Sequence, residues 1–371
     1  MRTIDYRLLL SVSFSPEEMS MMRDIYLTND RLMSWETMYP DATDQLGIQC
    51  MADDVFFSHR IEGMPADRES VLGMITGDSE PEGIDEIKAA GLVDAYRKVH
   101  ELAGYATLSP EDIVSLHRVL MIRHDPNGGQ YRTTDSPHTG YGTASTIRKP
   151  VTSRESRYAL NNLCKAYNTA MGLPGINPIL LAICASLDLF TISPFANGNG
   201  RIYRLALSLF LERAGIRIHR FSSLEKRIFT DLDAHLSSLE KSSDGWSGDF
   251  FGYSHFIENM VTNLCGCASE LERSFPHPKS GKVSKADRIR HAVMSMDRVF
   301  TISDLKLYVP DISTVTVQQM LSSMVSEGIV RKIGNTKGAR YAVCRIDGSA
   351  NAPSGDQRNV KIGELSSCFR C

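Results

Sequence analysis

The sequence has no long apolar run. Nothing among its 371 residues approaches the roughly 20 consecutive apolar positions a membrane-spanning helix requires. Near the start it offers only Leu8-Leu9-Leu10, too short for the apolar region of a secretory signal. A membrane partner is therefore not expected, and the address read from this is cytoplasmic. No internal repeat is visible, which excludes stacked-repeat architectures. The eight cysteines (Cys50, Cys164, Cys184, Cys265, Cys267, Cys344, Cys368 and Cys371) form no framework; they are scattered, several in apolar helical contexts, as reduced and packed thiols are. Cys368-Phe-Arg-Cys371 is a lone CxxC without a second pair or nearby histidines, a weak signal for zinc or redox chemistry.

What is present is an ordinary globular composition, 42% hydrophobic and 23% charged, with length for two or three domains. The charge is unevenly placed. Residues 279–345 hold 12 Lys and Arg against 5 Asp and Glu, and residues 346–371 hold 3 of each, so residues 1–278 carry −10 of the total −3.

One stretch organises the rest: Thr191-Ile-Ser-Pro-Phe-Ala-Asn-Gly-Asn-Gly-Arg-Ile-Tyr-Arg204. Gly198 and Gly200 flank Asn199, so the backbone is free to turn successive N–H groups toward one point. A helix that begins there adds its own first-turn donors and dipole, and this is an anion cradle suited to phosphate. Ile202, Leu205, Ala206, Leu209 and Phe210 fall at the spacing of a buried stripe, which leaves Arg201, Arg204 and Ser208 on another face. Two arginines one turn apart suit two neighbouring phosphates.

Upstream, Ser15-Pro-Glu-Glu18 predicts a helix starting at Pro16 through a capping box, and a second helix is expected over Thr43–Arg60, with Gly63 as its stop. Residues 64–83, rich in Gly, Pro, Asp and Glu, read as a surface connection. Helices resume near Asp85, and Ser109-Pro-Glu-Asp112 caps another that carries His117 toward the core. From Gly128 to about Pro150 the helical period is missing and an extended hairpin is expected. Asn177-Pro178 caps a helix that delivers the chain to the glycine stretch.

The stretch 193–204 closely resembles the signature of the Fic family, His-Pro-Phe-x-(Asp/Glu)-Gly-Asn-Gly-Arg-x-x-Arg, with two departures: Ser193 stands at the histidine position and Asn197 at the carboxylate position. Ser58-x-x-x-Glu62-Gly63 likewise resembles the inhibitory motif of family members whose brake lies N-terminal to the active site. The resemblance implies a mainly α fold, a helical Fic core with a β-hairpin flap. It also implies transfer of AMP from ATP to a Ser, Thr or Tyr hydroxyl of a protein. Asn199, Gly200 and Arg201 are then expected at the phosphates, Arg204 at the terminal one, Gly198 as an N–H donor, and Pro194 and Phe195 as the residues that set the loop. Gly129, Tyr131 and Arg132 would introduce a flap that docks the target backbone by strand pairing. The attacking hydroxyl must lose a proton, and serine cannot accept it at neutral pH. Asn197 is a weak ligand for Mg2+ in place of a carboxylate. The implied partners are ATP and a target protein, or the chain itself. Three readings stay open: an AMP transferase weakened or silenced by Ser193, a nucleotide-sensing regulator, and an AMP-removing hydrolase.

In the basic region, Lys285–Met296, Ile302–Tyr308 and Thr314–Ser326 read as helices and Gly328–Gly334 and Ala339–Val343 as strands. This order resembles a small C-terminal winged helix-turn-helix domain. Ser313, Thr316 and Gln319 would face base edges, with Arg331, Lys332, Lys337 and Arg340 near phosphates; winged helices also dock proteins, so DNA and protein are both candidate partners. The expected divisions are 1–90 (N-terminal helices with the inhibitory motif), 91–278 (core), 279–345 (winged helix) and 346–371, a polar and disordered tail.

Overall fold

The computed structural model describes residues 3–135, 138–139, 146–148, 151–244, 246, 252–275, 285–294, 296, 299–310, 312–334 and 339–343. They fall into two compact units, Met1–Lys279 and Ser280–Cys371. The described residues are mainly helical. Those of the tail 346–371, Lys337 and the thiols of Cys344, Cys368 and Cys371 lie outside the described residues.

The first unit opens with a 3-10 turn, Tyr6–Ser11, and then α1, Pro16–Met38. At its start the Ser15 hydroxyl accepts from the Glu18 N–H while the Glu18 carboxylate accepts from the Ser15 N–H. α2 runs Pro40–Ile61 and turns off at Glu62 and Gly63. Its end is built as a double closure: Gly63, at φ 70°, donates to the Arg60 carbonyl and Met64 to that of His59, the arrangement that satisfies last-turn carbonyls when a left-handed residue follows a helix. Within 64–83, where composition suggests only a connection, the chain forms α3, Arg68–Thr76, capped by the Asp67 carboxylate on the Ser70 N–H and ended by Gly77 at φ 83°. Composition misses it because nine residues give Val71, its one buried side chain, little periodic company.

α4 (Gly83–Ala103) and α5 (Pro110–Met121) follow. They cross so closely at Gly91 that a Cβ there would stand 2.5 Å from the Leu120 carbonyl oxygen. β1 (His138–Thr139) and β2 (Thr146–Arg148) pair antiparallel, His138 opposite Arg148; the remainder of the expected hairpin is outside the described residues. Next come α6 (Ser153–Met171), α7 (Pro178–Ile192) and α8 (Asn199–Arg213), then a 3-10 turn at Ile218–Arg220, and α9 (Leu224–Thr230), α10 (Leu232–Ser243) and α11 (Ser254–Ser274).

α7 and α8 pack on each other at the centre of this unit. α7 is buried at every position from Ile179 to Ile192, as a helix apolar all round must be. Its one carboxylate, Asp188, is compensated by donors from three distant places, Tyr6 Oη at 2.7 Å, Trp246 Nε1 at 2.8 Å and Tyr253 Oη at 2.9 Å. α8 is also buried from Asn199 to Leu211. The separate polar face anticipated for Arg201, Arg204 and Ser208 exists, but α2, α4, α5 and α9 cover it.

In the second unit α12 (Lys285–Met294), β3 (Phe300–Thr301), α13 (Ile302–Tyr308), α14 (Thr314–Ser326), β4 (Val330–Ile333) and β5 (Arg340–Val343) surround a core of their own, centred on Ile289, Phe300, Leu305, Leu321 and Val330. β5 lies between β3 and β4 in one antiparallel sheet. β3 has no sequence signal, because two residues are too few to show alternation.

Candidate functional site

The signature stretch is a loop clamped at both ends. Ser193 closes α7 in the left-handed region, φ 44° and ψ 65°, and is the one non-glycine with positive φ among the described residues. A residue held there costs on the order of 1–3 kcal/mol and persists only where its surroundings impose it. Here the Ser193 N–H donates to the Leu189 carbonyl, its hydroxyl to the Phe190 carbonyl at 2.5 Å, and its own carbonyl accepts from Arg132 Nε at 2.7 Å. The hydroxyl is thus buried against its own helix.

His117 pins the other side of the loop. Its Nδ1 accepts the Gly129 N–H at 2.9 Å, which fixes the proton on Nε2, and Nε2–H donates to the Asn197 carbonyl at 3.1 Å. The ring stacks on Phe195 with centroids 3.8 Å apart. Burial keeps this imidazole neutral, its pKa lowered to about 4, with the Asn197 bond opposing and the Arg201 charge adding. His117 is the satisfied core histidine that its helical position implies, and it also joins the flap entry to the loop. Gly198 then turns left-handed at φ 72° to start α8. A Cβ at Gly198 would meet His117 Nε2 and Met121 Sδ at 3.4 Å and Arg201 Nη2 at 3.7 Å. The Asn199 side chain is spent inside the loop, accepting from the Phe195 N–H and donating to the Phe195 carbonyl, so its backbone N–H is what it offers to a ligand.

The two arginines differ sharply. Arg201 is 7% exposed, and its Nε and Nη1 have no hydrogen-bond partner among the described residues; burial pulls its pKa down, Glu62 counteracts and Arg204 adds. The Arg201 charge acts on His59 of α2, 0% exposed, whose Nδ1 bonds the Val55 carbonyl and whose Nε2 has no partner among the described residues. Arg204 is fully engaged. Its Nε pairs with Glu225 of α9 at 2.7–2.9 Å, Nη2 donates to Ser58 Oγ at 2.9 Å, and Nη1 and Nη2 share Glu62 Oε1 at 3.2 Å each. The structure therefore brings Ser58 and Glu62 onto Arg204 across more than 140 residues of chain. Glu225, which nothing in the sequence singles out, is a second carboxylate on the same guanidinium. Burial raises the Glu225 pKa and Arg204 opposes this.

Residues 107–211 match the profile of the Fic/DOC family. The chain carries a Fic/DOC domain. The match reaches from just before α5 to near the end of α8, so Ser58, Glu62 and Glu225 lie beyond it. Among curated proteins, protein adenylyltransferase fic-1 of Caenorhabditis elegans is 27% identical over 166 residues, 42% of this chain and 31% of the relative; the chain thus matches about a third of that protein's length. A Fic family protein from Desulfovibrio desulfuricans G20 superposes with TM-score 0.59 at 16% identity, over 92% of this chain and 99% of the other. Residues 134–508 of C. elegans Fic-1 superpose with TM-score 0.54 at 19% identity, over 68% and 71%. These superpositions carry the fold.

Of the residues expected to introduce a flap, Tyr131 and Arg132 contact the loop of the Fic domain and Gly129 reaches it through His117. Tyr131 bridges to Phe195 in antiparallel fashion, and Arg157 lies over the Tyr131 ring at 4.7 Å. The Arg132 N–H donates to the Pro194 carbonyl, and its guanidinium reaches the Ser193, Thr134 and Val151 carbonyls. Gly129, at φ 84°, feeds His117. Arg132 is therefore a staple between flap base and loop. For Mg2+ the donors do not fit: residues 193–200 contain no carboxylate, Asn197 offers an exposed neutral amide, and no group of three His, Cys, Asp or Glu among the described residues could hold a metal.

In the second unit, Ser313 caps α14 by accepting the Thr316 N–H, and the two hydroxyls are 2.8 Å apart. These two side chains are thus engaged with each other, while Gln319, Arg331, Lys332 and Arg340 are exposed.

Proposed function

We propose that residues 198–204 bind the phosphates of ATP in a Fic-type protein adenylyltransferase site, closed by Glu62 and weak or silent in AMP transfer because Ser193 lacks a proton acceptor. The observation that carries this reading is Arg201. A buried guanidinium with two unpartnered nitrogens, beside a left-handed glycine and the first N–H groups of α8, is a cation kept for an anion. The similarity to the worm adenylyltransferase supports the reaction class. In this reading Arg201 and the first-turn N–H groups orient the inner phosphates. Arg204 is the terminal-phosphate ligand withheld by Glu62 and Ser58, and Glu225 holds it in place whether or not Glu62 is engaged.

A second reading, a nucleotide-sensing regulator, is favoured by the Ser193 hydroxyl being committed to the Phe190 carbonyl, which leaves binding without chemistry. Calorimetry with ATP tests what both share. Arg201→Ala should weaken ATP at least tenfold, about 1.4 kcal/mol, with the fold unchanged by circular dichroism; equal affinity for parent and variant refutes the site.

A further inference from the structure

α2 acts on Arg204 in two ways. Ser58 and Glu62 contact the guanidinium directly. Four residues before Ser58, on the same stripe of the helix, Asp54 contacts α9, the helix that carries Glu225. Asp54 Oδ1 accepts from Ser223 Oγ at 2.6 Å and from the Glu225 N–H at 3.4 Å. Ser223 is the N-cap of α9, and its hydroxyl oxygen accepts the Lys226 N–H at 3.0 Å. A side chain of one helix thus completes the cap of another.

Glu225 is the second residue of α9, so this cap fixes where its carboxylate lies. Its Oε1 accepts from Tyr96 Oη of α4 at 3.2 Å and from Arg204 Nε at 2.9 Å. Asp54 and Glu225 are both buried, where donors that lose their acceptor find no water to replace it. Burial pushes the Asp54 carboxyl well up from the usual carboxylate range, with the Ser223 bond opposing and the Glu225 charge adding. Glu225 and Glu62 already face the one guanidinium. An Asp54 shifted toward its neutral form holds α9 without competing with them for Arg204.

We propose that Asp54 is a positioning residue for Arg204: through the cap of α9 it holds Glu225, and with it the plane of the guanidinium, in the pose that meets a terminal phosphate. A guanidinium already held in plane loses less freedom when it binds. α2 then carries two opposed functions. Its end withholds Arg204, and its body supports Arg204. Release of the brake must therefore leave Asp54 seated on α9 and displace only the turns beyond it. The effect on ATP rests on the nucleotide reading above, whereas the support of the guanidinium stands on the contacts alone.

The sign of one substitution tests this. Were α2 only a brake, loosening it at Asp54 would act like removing Glu62 and tighten ATP. In the full chain carrying Glu62→Gly, where Glu62 no longer contests Arg204, adding Asp54→Ala should instead weaken ATP at least fivefold by calorimetry. AMP, which lacks the terminal phosphate, should stay within twofold. Asp54→Asn, which keeps the acceptor oxygen without the charge, should restore ATP to within twofold. Ser223→Ala breaks the same link from the side of α9 and should weaken ATP in the same direction; it decides the matter if Asp54→Ala does not fold by circular dichroism. A second readout needs no nucleotide: the Arg204 Nε–H resonance in 15N NMR, assigned by its loss in Arg204→Lys. It should be protected from exchange with water in the parent, in Glu62→Gly and in Asp54→Asn, and lose that protection in Asp54→Ala and Ser223→Ala. Tighter ATP in Asp54→Ala, equal losses for ATP and AMP, Asn as damaging as Ala, or unchanged Nε–H protection overturns the proposal. Chains that bind no ATP at all refute the nucleotide reading, and the Nε–H signal then decides the support of Arg204 by itself.

Discussion

Ser193 concentrates the chemical question in one residue. Its φ of 44° is a left-handed value that most side chains avoid, yet histidine is among the residues enriched there. The backbone is therefore already shaped for the side chain that general-base chemistry needs. Ser193→His, with Asn197→Asp to add the carboxylate, is expected to produce an AMP adduct on the chain itself or on a co-expressed target, seen by intact-mass spectrometry as absent in the parent. The gain should be about 10²–10⁴-fold in rate, the usual contribution of a positioned base. A doubly restored protein that binds ATP and forms no adduct would count against a transferase scaffold. The motif was legible at this scale because its residues are contiguous. Glu225 was not, since it meets Arg204 only across 21 positions and a Glu in the first turn of a capped helix is ordinary.

At the scale of elements, α2 ends on a carboxylate, Glu62, that meets Arg204 of α8. The Schellman-type closure at Gly63 leaves Glu62 at the last position before the chain turns away, 22% exposed in its side chain, against an arginine 2% exposed. A hydrogen bond to a charged group contributes about 1.5–3 kcal/mol, so Glu62→Gly should tighten ATP by roughly tenfold or more. AMP, which lacks the contested phosphate, should be almost unaffected. Equal effects on both nucleotides, read by calorimetry, would show that Glu62 only braces the helix. Because Glu225 still holds Arg204, the variant should keep its arginine in place.

Another prediction comes from the packing of α8 on α10. His235 is 0% exposed, its Nδ1–H donating to Asn259 Oδ1 at 3.0 Å and its Nε2 accepting from Tyr203 Oη at 2.8 Å. Burial lowers its pKa to about 4, the Asn259 bond opposing. The unfolded chain takes up this proton near pH 6.5, whereas the fold takes it up only near 4. The stability His235 protects is thus present above 6.5 and is lost as pH falls toward 4, by up to about 1.4 kcal/mol per pH unit. Buried Asp54 and Glu225, shifted upward mainly by burial, offset part of the total, so the comparison is between proteins. Denaturant unfolding between pH 6.5 and 4 should be shallower in pH for His235→Gln by about one proton; an unchanged slope contradicts the assignment.

Across the whole molecule, two units with separate cores carry opposite charge, −9 over Met1–Lys279 and +6 over Ser280–Cys371. We propose that the basic unit binds duplex DNA through exposed Gln319, Arg331, Lys332 and Arg340. Each phosphate neutralised should add about 0.9 to the slope of log affinity against log salt. Gel shifts with the full chain should therefore show binding that falls steeply from 50 to 200 mM salt, and Lys332→Ala should reduce the slope by about one. Absence of binding even at low salt would turn the proposal to protein docking.

Local information settled much of this protein. The caps at Ser15, Ser109 and Asn177 act through neighbours two or three residues away, and the glycine-arginine string carries its own turn and helix start; each was readable in order along the chain. The same holds for the helices and the hairpin strands of the basic unit, long enough to display a period. Tertiary structure alone decided which charges meet. Among the described residues Arg201 keeps Nε and Nη1 without partners and Arg204 is doubly paired, because α2 and α9 arrive from distant parts of the chain to cover one end of the polar face of α8. Asp188 is tolerable in the centre because donors from Tyr6, Trp246 and Tyr253 converge on it. Burying a charge is costly until a partner is brought to it, and which partner comes is determined by packing, which has no local signature.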